Sequence, residues 1–292
     1  YFLTEYSNNK VSGIAGELDK KGYYTAFFHG APNGSMGFEA FAKVTGFKDY
    51  YGMTEYGNDS DYDGTWAIWD EEFFQFFANK MGTFKEPFMT ALFSASSHHP
   101  FHVPEKYKDI YKEDGIHPLH KCIRYSDNAL RKFFDNAKKQ PWYNNTLFVI
   151  TADHTNALTR KEYTNDAGNF KVPIIFYTPN GDLKGRLPEI AEQIDVMPTV
   201  LGYLNYDEPY LAFGHDLLDS TYTSRYAINH YDQTFQFFQD SLMYQFNGKD
   251  TKAVYNFVTD IYLQNNLLDK TDAKKREMVE TKMKAIIQQY IN

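Results

Sequence analysis

Cysteine and positive charge are both scarce in this sequence of 292 residues. Cys122 is its one cysteine, which excludes an intramolecular disulfide and any cysteine-based metal cluster. The residue lies in a stretch typical of a helix, where a buried structural thiol is favoured over a nucleophile. The 30 Lys and Arg residues are outnumbered by 38 Asp and Glu residues, which gives a formal net charge of −8. That balance argues against nucleic acid, or an anionic membrane surface, as the main partner.

Long apolar runs are also missing, and no stretch of the sequence is apolar enough to span a bilayer. The chain opens with Tyr1 rather than Met and has no signal-peptide pattern, so we expect it to be a segment of a longer protein. Hydrophobic residues make up 42% of the chain, as in globular proteins. Its length suits one large α/β domain, or one domain with a small appendage.

Helical and strand patterns alternate along the chain as far as residue 224. Amphipathic helices are predicted over residues 10–22, 70–84 and 118–139, and apolar strands over residues 23–28, 87–97 and 146–151. This rhythm predicts an α/β fold whose polar loops gather at one edge of a sheet. From residue 225 onward, alternating apolar patterns predict a small antiparallel sheet, and an amphipathic helix closes the chain. We therefore predict two domains, residues 1–224 and 225–292.

The predicted strand over residues 146–151 is short, β-branched and aromatic, which is typical of a central strand buried on both faces. Asp153 and His154 follow it directly. The carboxyl ends of central strands are where open α/β sheets bind ligands, and a carboxylate beside an imidazole can ligate a divalent metal. Taken alone, the same dipeptide also fits a turn with a capping Asp and a surface His.

Histidines follow two other predicted strands. The strand over residues 23–28 ends at His29, and the strand over residues 87–97 ends at His98 and His99. Each of these histidines, taken alone, could be a loop residue in water. Three separate strands that end in histidine-bearing loops, however, predict a metal-assisted site that accepts an anion.

The loop over residues 58–64 is rich in Asn, Asp and Gly. It lacks the glutamate that a calcium loop of the EF-hand type requires at its twelfth position. We interpret it as a solvated loop that leads to Trp66 and the helix beginning at Asp70.

Five stretches of this sequence, in this order, resemble the sulfatase domain of the lipoteichoic acid synthase group, within the alkaline phosphatase superfamily. They are residues 24–30, 96–101, 151–154, 172–175 and 195–199. The resemblance extends over roughly residues 8–220. It implies a central, mostly parallel sheet with helices on both faces, to which the C-terminal antiparallel sheet and helix are added.

The resemblance also implies roles for individual residues. Asp153 and His154 match two of the metal ligands, with Mn²⁺ or Zn²⁺ as the expected ion and Mg²⁺ as a further option. His98 matches a catalytic histidine that contacts the substrate phosphate or the leaving group. His29 matches a residue that holds the substrate headgroup, and we assign Asn33 and His99 to substrate binding beside it.

The sequence departs from the family pattern in two places. The family nucleophile is a Thr or Ser that precedes the first predicted helix together with another carboxylate ligand, and neither has a match here. We therefore expect both upstream of Tyr1, with Thr4 and Ser7 as poor candidates, and we expect the segment alone to be inactive. The Trp and Arg that bind glycerophosphate are replaced by Met36 and Phe38, so glycerophosphate itself is not implied. The Cys-x-Pro-x-Arg motif of true sulfatases is absent from this segment.

The function implied by the resemblance is an extracytoplasmic, metal-dependent phosphotransferase that acts on a phosphodiester. Its substrate would be a phospholipid or an envelope glycan, with a headgroup of the glycerophosphate or phosphoethanolamine type. The protein would lie on the outer face of the bacterial cytoplasmic membrane, anchored by an upstream segment. Two alternatives stay open: a sulfatase or phosphodiesterase that hydrolyses its substrate, and a catalytically inactive module that binds an anion or a glycan.

Overall fold

The computed structural model describes residues 11–187, 190–222 and 224–291. The chain divides into two compact units, each of which is described separately. The first unit comprises the residues up to Leu147, together with Thr178–Gly181 and Glu208–Leu211. The second unit comprises Phe148–Tyr177, Asp182–Asp207 and Ala212–Asn292. Among the described residues, no helix has both the length and the apolar character needed to cross a membrane.

A parallel sheet forms the centre of the first unit. It contains β1 (Tyr24–His29), β2 (Asp49–Tyr51) and β3 (Phe88–Phe93) in the order β2-β1-β3. The middle strand, β1, is the most deeply buried, because its Ala26 and Phe28 side chains are completely covered. His29 pairs with Phe93 in the register of β1 and β3. The loops that leave these two strands therefore start side by side at one edge of the sheet.

Five α-helices accompany this sheet within residues 11–147. They are α1 (Ile14–Lys20), α2 (Phe38–Val44), α3 (Met53–Tyr56), α4 (Asp70–Met81) and α5 (Leu119–Ala137). Three acidic residues open α4, where they complement the partial positive charge of the helix N-terminus. Its Phe73, Phe76 and Phe77 lie on one face and pack toward Phe28, while Phe77 stacks on Phe133 of α5 at 5.6 Å between ring centroids. The predicted amphipathic helix over residues 70–84 is confirmed, with its last helical residue at Met81.

Cys122 lies on the buried side of α5 and is fully covered. Its Sγ is 3.3 Å from the carbonyl oxygen of His102. Burial raises the pKa of this thiol to about 11, so the reactive thiolate is disfavoured near neutral pH. The prediction that Cys122 is buried is confirmed.

The second unit begins with a two-stranded antiparallel sheet of β4 (Phe148–Thr151) and β5 (Ile174–Tyr177). The prediction of a central strand buried on both faces is wrong for β4, whose residues are half-buried except for an exposed Thr151. An apolar, β-branched run fits any pleated surface, and its length does not reveal how many neighbours the strand has. The stretch after Asp195 forms the helix α6 (Val196–Tyr203).

A four-stranded antiparallel meander and a long helix complete the second unit. The strands are β6 (Tyr226–Tyr231), β7 (Thr234–Gln239), β8 (Leu242–Phe246) and β9 (Thr251–Asn256), and the helix is α7 (Ala273–Ile291). Val279, Met283 and Ile286 of α7 pack on the inward side chains of the sheet. The predicted α/β fold with a C-terminal antiparallel sheet and helix is confirmed. The domain boundary at residues 224 and 225 stays a prediction.

Candidate functional site

His29 is the last residue of β1 and is only 5% exposed. Its Nδ1 lies 3.0 Å from the carbonyl oxygen of Phe93, and its ring centroid lies 4.6 Å from that of Phe38. Because a carbonyl oxygen only accepts, Nδ1 carries the proton and Nε2 of the neutral ring is left as an acceptor. Burial lowers the pKa of His29, which favours this neutral form.

His98 lies in the loop after β3 and is held in a similar way. Its backbone N–H donates to the carbonyl oxygen of Ala95 at 3.1 Å, and its Nδ1 is 3.1 Å from the same oxygen. Nδ1 is therefore again the protonated nitrogen, and Nε2 of the neutral ring is left as an acceptor. Both imidazole rings pack against Phe93, whose ring centroid lies 5.2 Å from that of His29 and 6.4 Å from that of His98. The structure thus brings together two of the predicted site residues.

Asn33 and His99 belong to the same unit but have other partners. The Nδ2 of Asn33 donates to Glu55 at 3.0 Å, and its Oδ1 accepts from the backbone N–H of Thr54 at 3.2 Å. These bonds tie Asn33 to the start of α3, and it would have to exchange them to bind a substrate. His99 is exposed, and its ring lies 5.6 Å from that of Phe101. The substrate-binding roles of Asn33 and His99 stay predictions.

Asp63, which the sequence analysis did not identify as part of a site, orders a loop that places the ring of Trp66 beside His98. One carboxylate oxygen of Asp63 accepts from the backbone N–H groups of residues 65–67, at 2.7, 2.7 and 3.2 Å. The loop so ordered presents Trp66, whose ring lies 5.1 Å from that of His98 and whose Nε1 donates to the carbonyl of His99. The Asp-Gly pair ahead of Trp66 was the available sequence signal, since Asp often closes a turn on the following backbone.

Asp153 and His154 lie in the second unit, directly after β4. The His154 N–H donates to Asp153 Oδ1 at 2.9 Å, and His154 Nε2 lies 3.2 Å from Asp153 Oδ2. The other ring nitrogen, Nδ1, is 2.6 Å from the carbonyl oxygen of Thr155. Gln193 braces the turn, because its amide donates to the carbonyls of Ala152 and Asp153 at 2.6 and 2.9 Å. The two side chains remain open to solvent, at 49% and 63% exposure.

The donor atoms of this pair suit a divalent metal. An imidazole nitrogen whose second nitrogen is fixed by a carbonyl is the usual form of a ligating histidine, and a carboxylate suits Mn²⁺, Zn²⁺ or Mg²⁺. A complete site needs about four or more ligands. Across residues 11–187, 190–222 and 224–291, no three His, Cys, Asp or Glu side chains are grouped so that they could hold an ion. Asp153 and His154 therefore fit two ligands of a larger set.

A cavity of about 2290 Å³ in the second unit includes Asp153 and His154 in its lining. Four Lys or Arg residues line the same cavity, together with four acidic residues: Lys171, Lys184, Arg186, Arg225, Asp153, Asp182, Glu192 and Asp240. The volume exceeds that of a typical small-molecule pocket. The cavity therefore has room for a bulky ligand and lines it with charges of both signs.

Asp195 belongs to one of the five stretches that carried the family resemblance, and its role is structural. Its carboxylate accepts from the backbone N–H of Glu192 at 2.7 Å and from that of His215 at 2.8 Å. Glu192 in turn accepts from the N–H of Ile228 in β6 at 2.8 Å. Burial raises the pKa of Asp195, and it raises that of Glu192 to about 7. These acids connect α6 to the C-terminal sheet.

Comparison with known proteins gives consistent results. The sequence model of the sulfatase family matches residues 1–206. Lipoteichoic acid synthase 1 of Bacillus subtilis (strain 168) is 27% identical over 248 residues, covering 79% of this chain and 39% of that protein. The lipoteichoic acid synthase LtaP from Listeria monocytogenes superposes with a TM-score of 0.80 at 22% identity, over 100% of this chain and 75% of that one. A protein in the alkaline phosphatase superfamily from Vibrio parahaemolyticus gives a TM-score of 0.71 at 25% identity, over 84% and 61% of the two chains.

Proposed function

Because this chain belongs to the sulfatase family, within the alkaline phosphatase superfamily, we propose that it is the catalytic part of a metal-dependent phosphotransferase. Its substrate is a phosphodiester, with a phospholipid headgroup as the favoured case. The observation that supports this most is the pairing of His29 and His98 at one edge of the parallel sheet. Each ring has Nδ1 bonded to a backbone carbonyl, so each is held with Nε2 available to a ligand.

His98 is the proton donor in the proposed mechanism. With Nδ1 held by Ala95, a protonated ring can deliver the Nε2 proton to the oxygen that leaves phosphorus. General acid catalysis of this kind contributes about 10²–10⁴-fold in rate. The ring of Trp66 covers one side of the imidazole and limits its rotation.

His29 orients the headgroup. Its neutral ring presents Nε2 as an acceptor for a hydroxyl or ammonium group of the substrate. The surrounding wall is apolar, since Phe38 and Phe93 pack against the imidazole at 4.6 and 5.2 Å. Met36, two residues before Phe38 in the sequence, is 80% exposed. Met36 and Phe38 occupy the stretch where the family resemblance implies a Trp and an Arg that bind glycerophosphate, so we assign differences in headgroup selection to this stretch.

Asp153 and His154 are the proposed metal ligands of this chain. A divalent metal bound there would supply Lewis-acid stabilisation of a phosphate oxygen and favour ionisation of a hydroxyl nucleophile. We assign that nucleophile to a Thr or Ser upstream of Tyr1, as the family resemblance implies. The chain spans 39% of the length of the matched B. subtilis relative, so the activity proposed belongs to a longer protein.

The proposal includes a location and a partner. Relatives named lipoteichoic acid synthases, found by sequence and by structure, support an envelope substrate, either a phospholipid or an envelope glycan. We place the domain on the outer face of the bacterial cytoplasmic membrane, with its anchor in an upstream segment. Nucleic acid is not an expected partner, given the net charge of −8.

The test uses the protein extended to its full length in vesicles that contain a phospholipid with a fluorescent diacylglycerol moiety. With Mn²⁺ present, we expect fluorescent diacylglycerol to appear and the phosphorylated headgroup to become attached to an acceptor. Release of the headgroup phosphate into water alone would identify a hydrolase. If no phosphodiester or sulfate ester is cleaved while metal is bound, the enzyme proposal fails.

The second candidate is a catalytically inactive module that binds an anion or a glycan. It is favoured by one observation, the presence of only two suitable metal ligands close together in the described part of the chain. Binding of envelope glycan without any turnover, by the full-length protein, would support this candidate over the phosphotransferase.

A further inference from the structure

Asp70 opens α4 and is among the most buried charged residues of the first unit, at 2% exposure. One carboxylate oxygen accepts from the backbone N–H groups of Ala95 and Ser96, at 3.0 and 3.2 Å. The other accepts from Ser126 Oγ at 2.7 Å. The backbone N–H of Asp70 completes the set by donating to Ser96 Oγ at 3.0 Å. Burial of a carboxylate is costly without such bonds, so each bond constrains the position of its donor.

The backbone at Ala95 and Ser96, which is hydrogen-bonded to Asp70, is also hydrogen-bonded to His98. Ala95 is bonded at both ends, because its N–H donates to Asp70 and its carbonyl accepts from the N–H and Nδ1 of His98. Ala95 and Ser96 are themselves buried, at 6% and 5% exposure, so water is poorly placed to replace either bond. A displacement of the Ala95 peptide would therefore pass directly to the imidazole.

Two properties of Asp70, its negative charge and the positions of its carboxylate oxygens, can be changed separately by substitution. An amide in its place keeps one oxygen for the two backbone N–H groups and offers N–H to Ser126, without the charge. A glutamate keeps the charge but moves the oxygens by one methylene in a fully packed environment. The two substitutions therefore separate electrostatic from geometric effects.

We propose that Asp70 is a positioning residue for the reaction. By fixing the Ala95 peptide, it sets the orientation of the His98 ring and the tautomer with the proton on Nδ1. This inference rests on the proposed role of His98 as proton donor, but the position and tautomer of the ring can be measured without any turnover.

The experiment records two-bond ¹H–¹⁵N spectra of the full chain labelled with ¹⁵N-histidine, at a pH well above the ordinary imidazole pKa of about 6.5. The His98 signals are assigned by their absence in His98→Gln. We expect the Nδ1-protonated pattern in the wild type and in Asp70→Asn. In Asp70→Glu we expect this pattern to be replaced by a mixture in which the Nε2-protonated tautomer, the preferred form of a free imidazole, dominates.

Two control variants act at the same helix start. Ser126→Ala removes one donor to Asp70 and a 3.4 Å contact with Ser97 Oγ, but leaves the Ala95 and Ser96 bonds to Asp70. Tyr125→Phe removes the hydroxyl that accepts from the neighbouring Glu71 N–H. Both should keep the wild-type pattern. A wild-type pattern in Asp70→Glu, or its loss in Asp70→Asn, would overturn the proposal.

If Asp70→Glu fails to fold, amide hydrogen exchange in the wild type decides the question. The Ala95 and Ser96 N–H groups should then exchange as slowly as the core of α4, whereas exchange at the rate of an open loop would overturn the proposal. In the active full-length protein, Asp70→Glu should lower kcat by about 10²-fold with little change in KM. The separate variant Asp70→Asn should keep most of the wild-type kcat. If the tautomer result holds and no lipid turnover is found, the substrate assignment fails and the positioning role stands.

Discussion

The two units differ in how their candidate functional residues are held. In the first unit, His29 and His98 are fixed by backbone carbonyls, packed against aromatic rings and connected through Ala95 to a buried carboxylate. In the second unit, Asp153 and His154 are open to solvent and face each other at 3.2 Å. Protein contacts alone therefore fix the first pair, whereas the second pair needs a cation and further ligands to become a rigid site.

Loss of one metal ligand should have the largest effect. Asp153→Ala in the full-length protein should abolish metal retention and turnover, because the metal would lose its carboxylate ligand from this chain. Metal content after gel filtration and phospholipid turnover give the two readouts. The control is Asp250→Ala, which removes an exposed carboxylate between β8 and β9 of the same unit. Retained activity with stoichiometric metal in Asp153→Ala would refute the ligand assignment.

Removal of the proton donor should have the next largest effect. His98→Gln should reduce kcat by about 10²–10⁴-fold with KM nearly unchanged, since the group acts mainly in the transition state. Metal content should stay at the wild-type level, which separates this variant from Asp153→Ala. His102→Gln, an exposed histidine in the same loop, serves as the matched control. Equal kcat values for His98→Gln and the wild type would remove His98 from the mechanism.

The rigidity of the first site should depend on the core beneath it. Phe28 is fully buried in β1 and packs on Tyr51 and Phe77 at 4.6 and 4.7 Å between ring centroids. Phe28→Ala should lower the free energy of unfolding by about 3–5 kcal/mol, measured by chemical denaturation. Ile123→Ala, on the half-exposed face of α5, should cost far less. Similar losses for the two variants would contradict the assignment of the core to β1.

The smallest expected effect is a pH dependence in the second unit. Burial raises the pKa of Glu192 to about 7, above its ordinary value of 4.5, so the folded state holds this proton more tightly than the unfolded state. Glu192 therefore contributes stability that is present below pH 4.5 and is lost as the pH rises to about 7. Glu192→Gln keeps a side-chain oxygen that accepts from the Ile228 N–H, but it removes the titratable carboxyl group. The stability of the wild type minus that of the variant should fall over this pH range, and a constant difference would contradict the burial of this acid.

The sequence predicted those features that depend on local periodicity. The helix from Asp70, the helix containing Cys122 and the strands ending near His29 and His98 all follow from apolar spacing and polar punctuation. The burial of β4 was predicted wrongly, because burial depends on neighbours that the strand itself does not encode. Trp66 and Asp70 were missed as supports of His98 for a related reason. The bond from Trp66 to His99 and the bond from Ala95 to Asp70 join residues 33 and 25 positions apart, and no local pattern specifies such partners. The bonds of Asp63 are local, and the Asp-Gly pair was the signal for them.

The first unit has a preformed pair of histidines, His29 and His98, whereas Asp153 and His154 are two ligands of an incomplete metal site. This contrast is tested most directly by elemental analysis of metal content. The comparison uses this chain and the same chain extended upstream to the next domain boundary, both supplied with micromolar Mn²⁺ and Zn²⁺. We predict that the extended protein retains about one metal ion per molecule and that the 292-residue chain retains little. If neither retains metal, the assignment of Asp153 and His154 as ligands is contradicted, and an anion- or glycan-binding module becomes the better account.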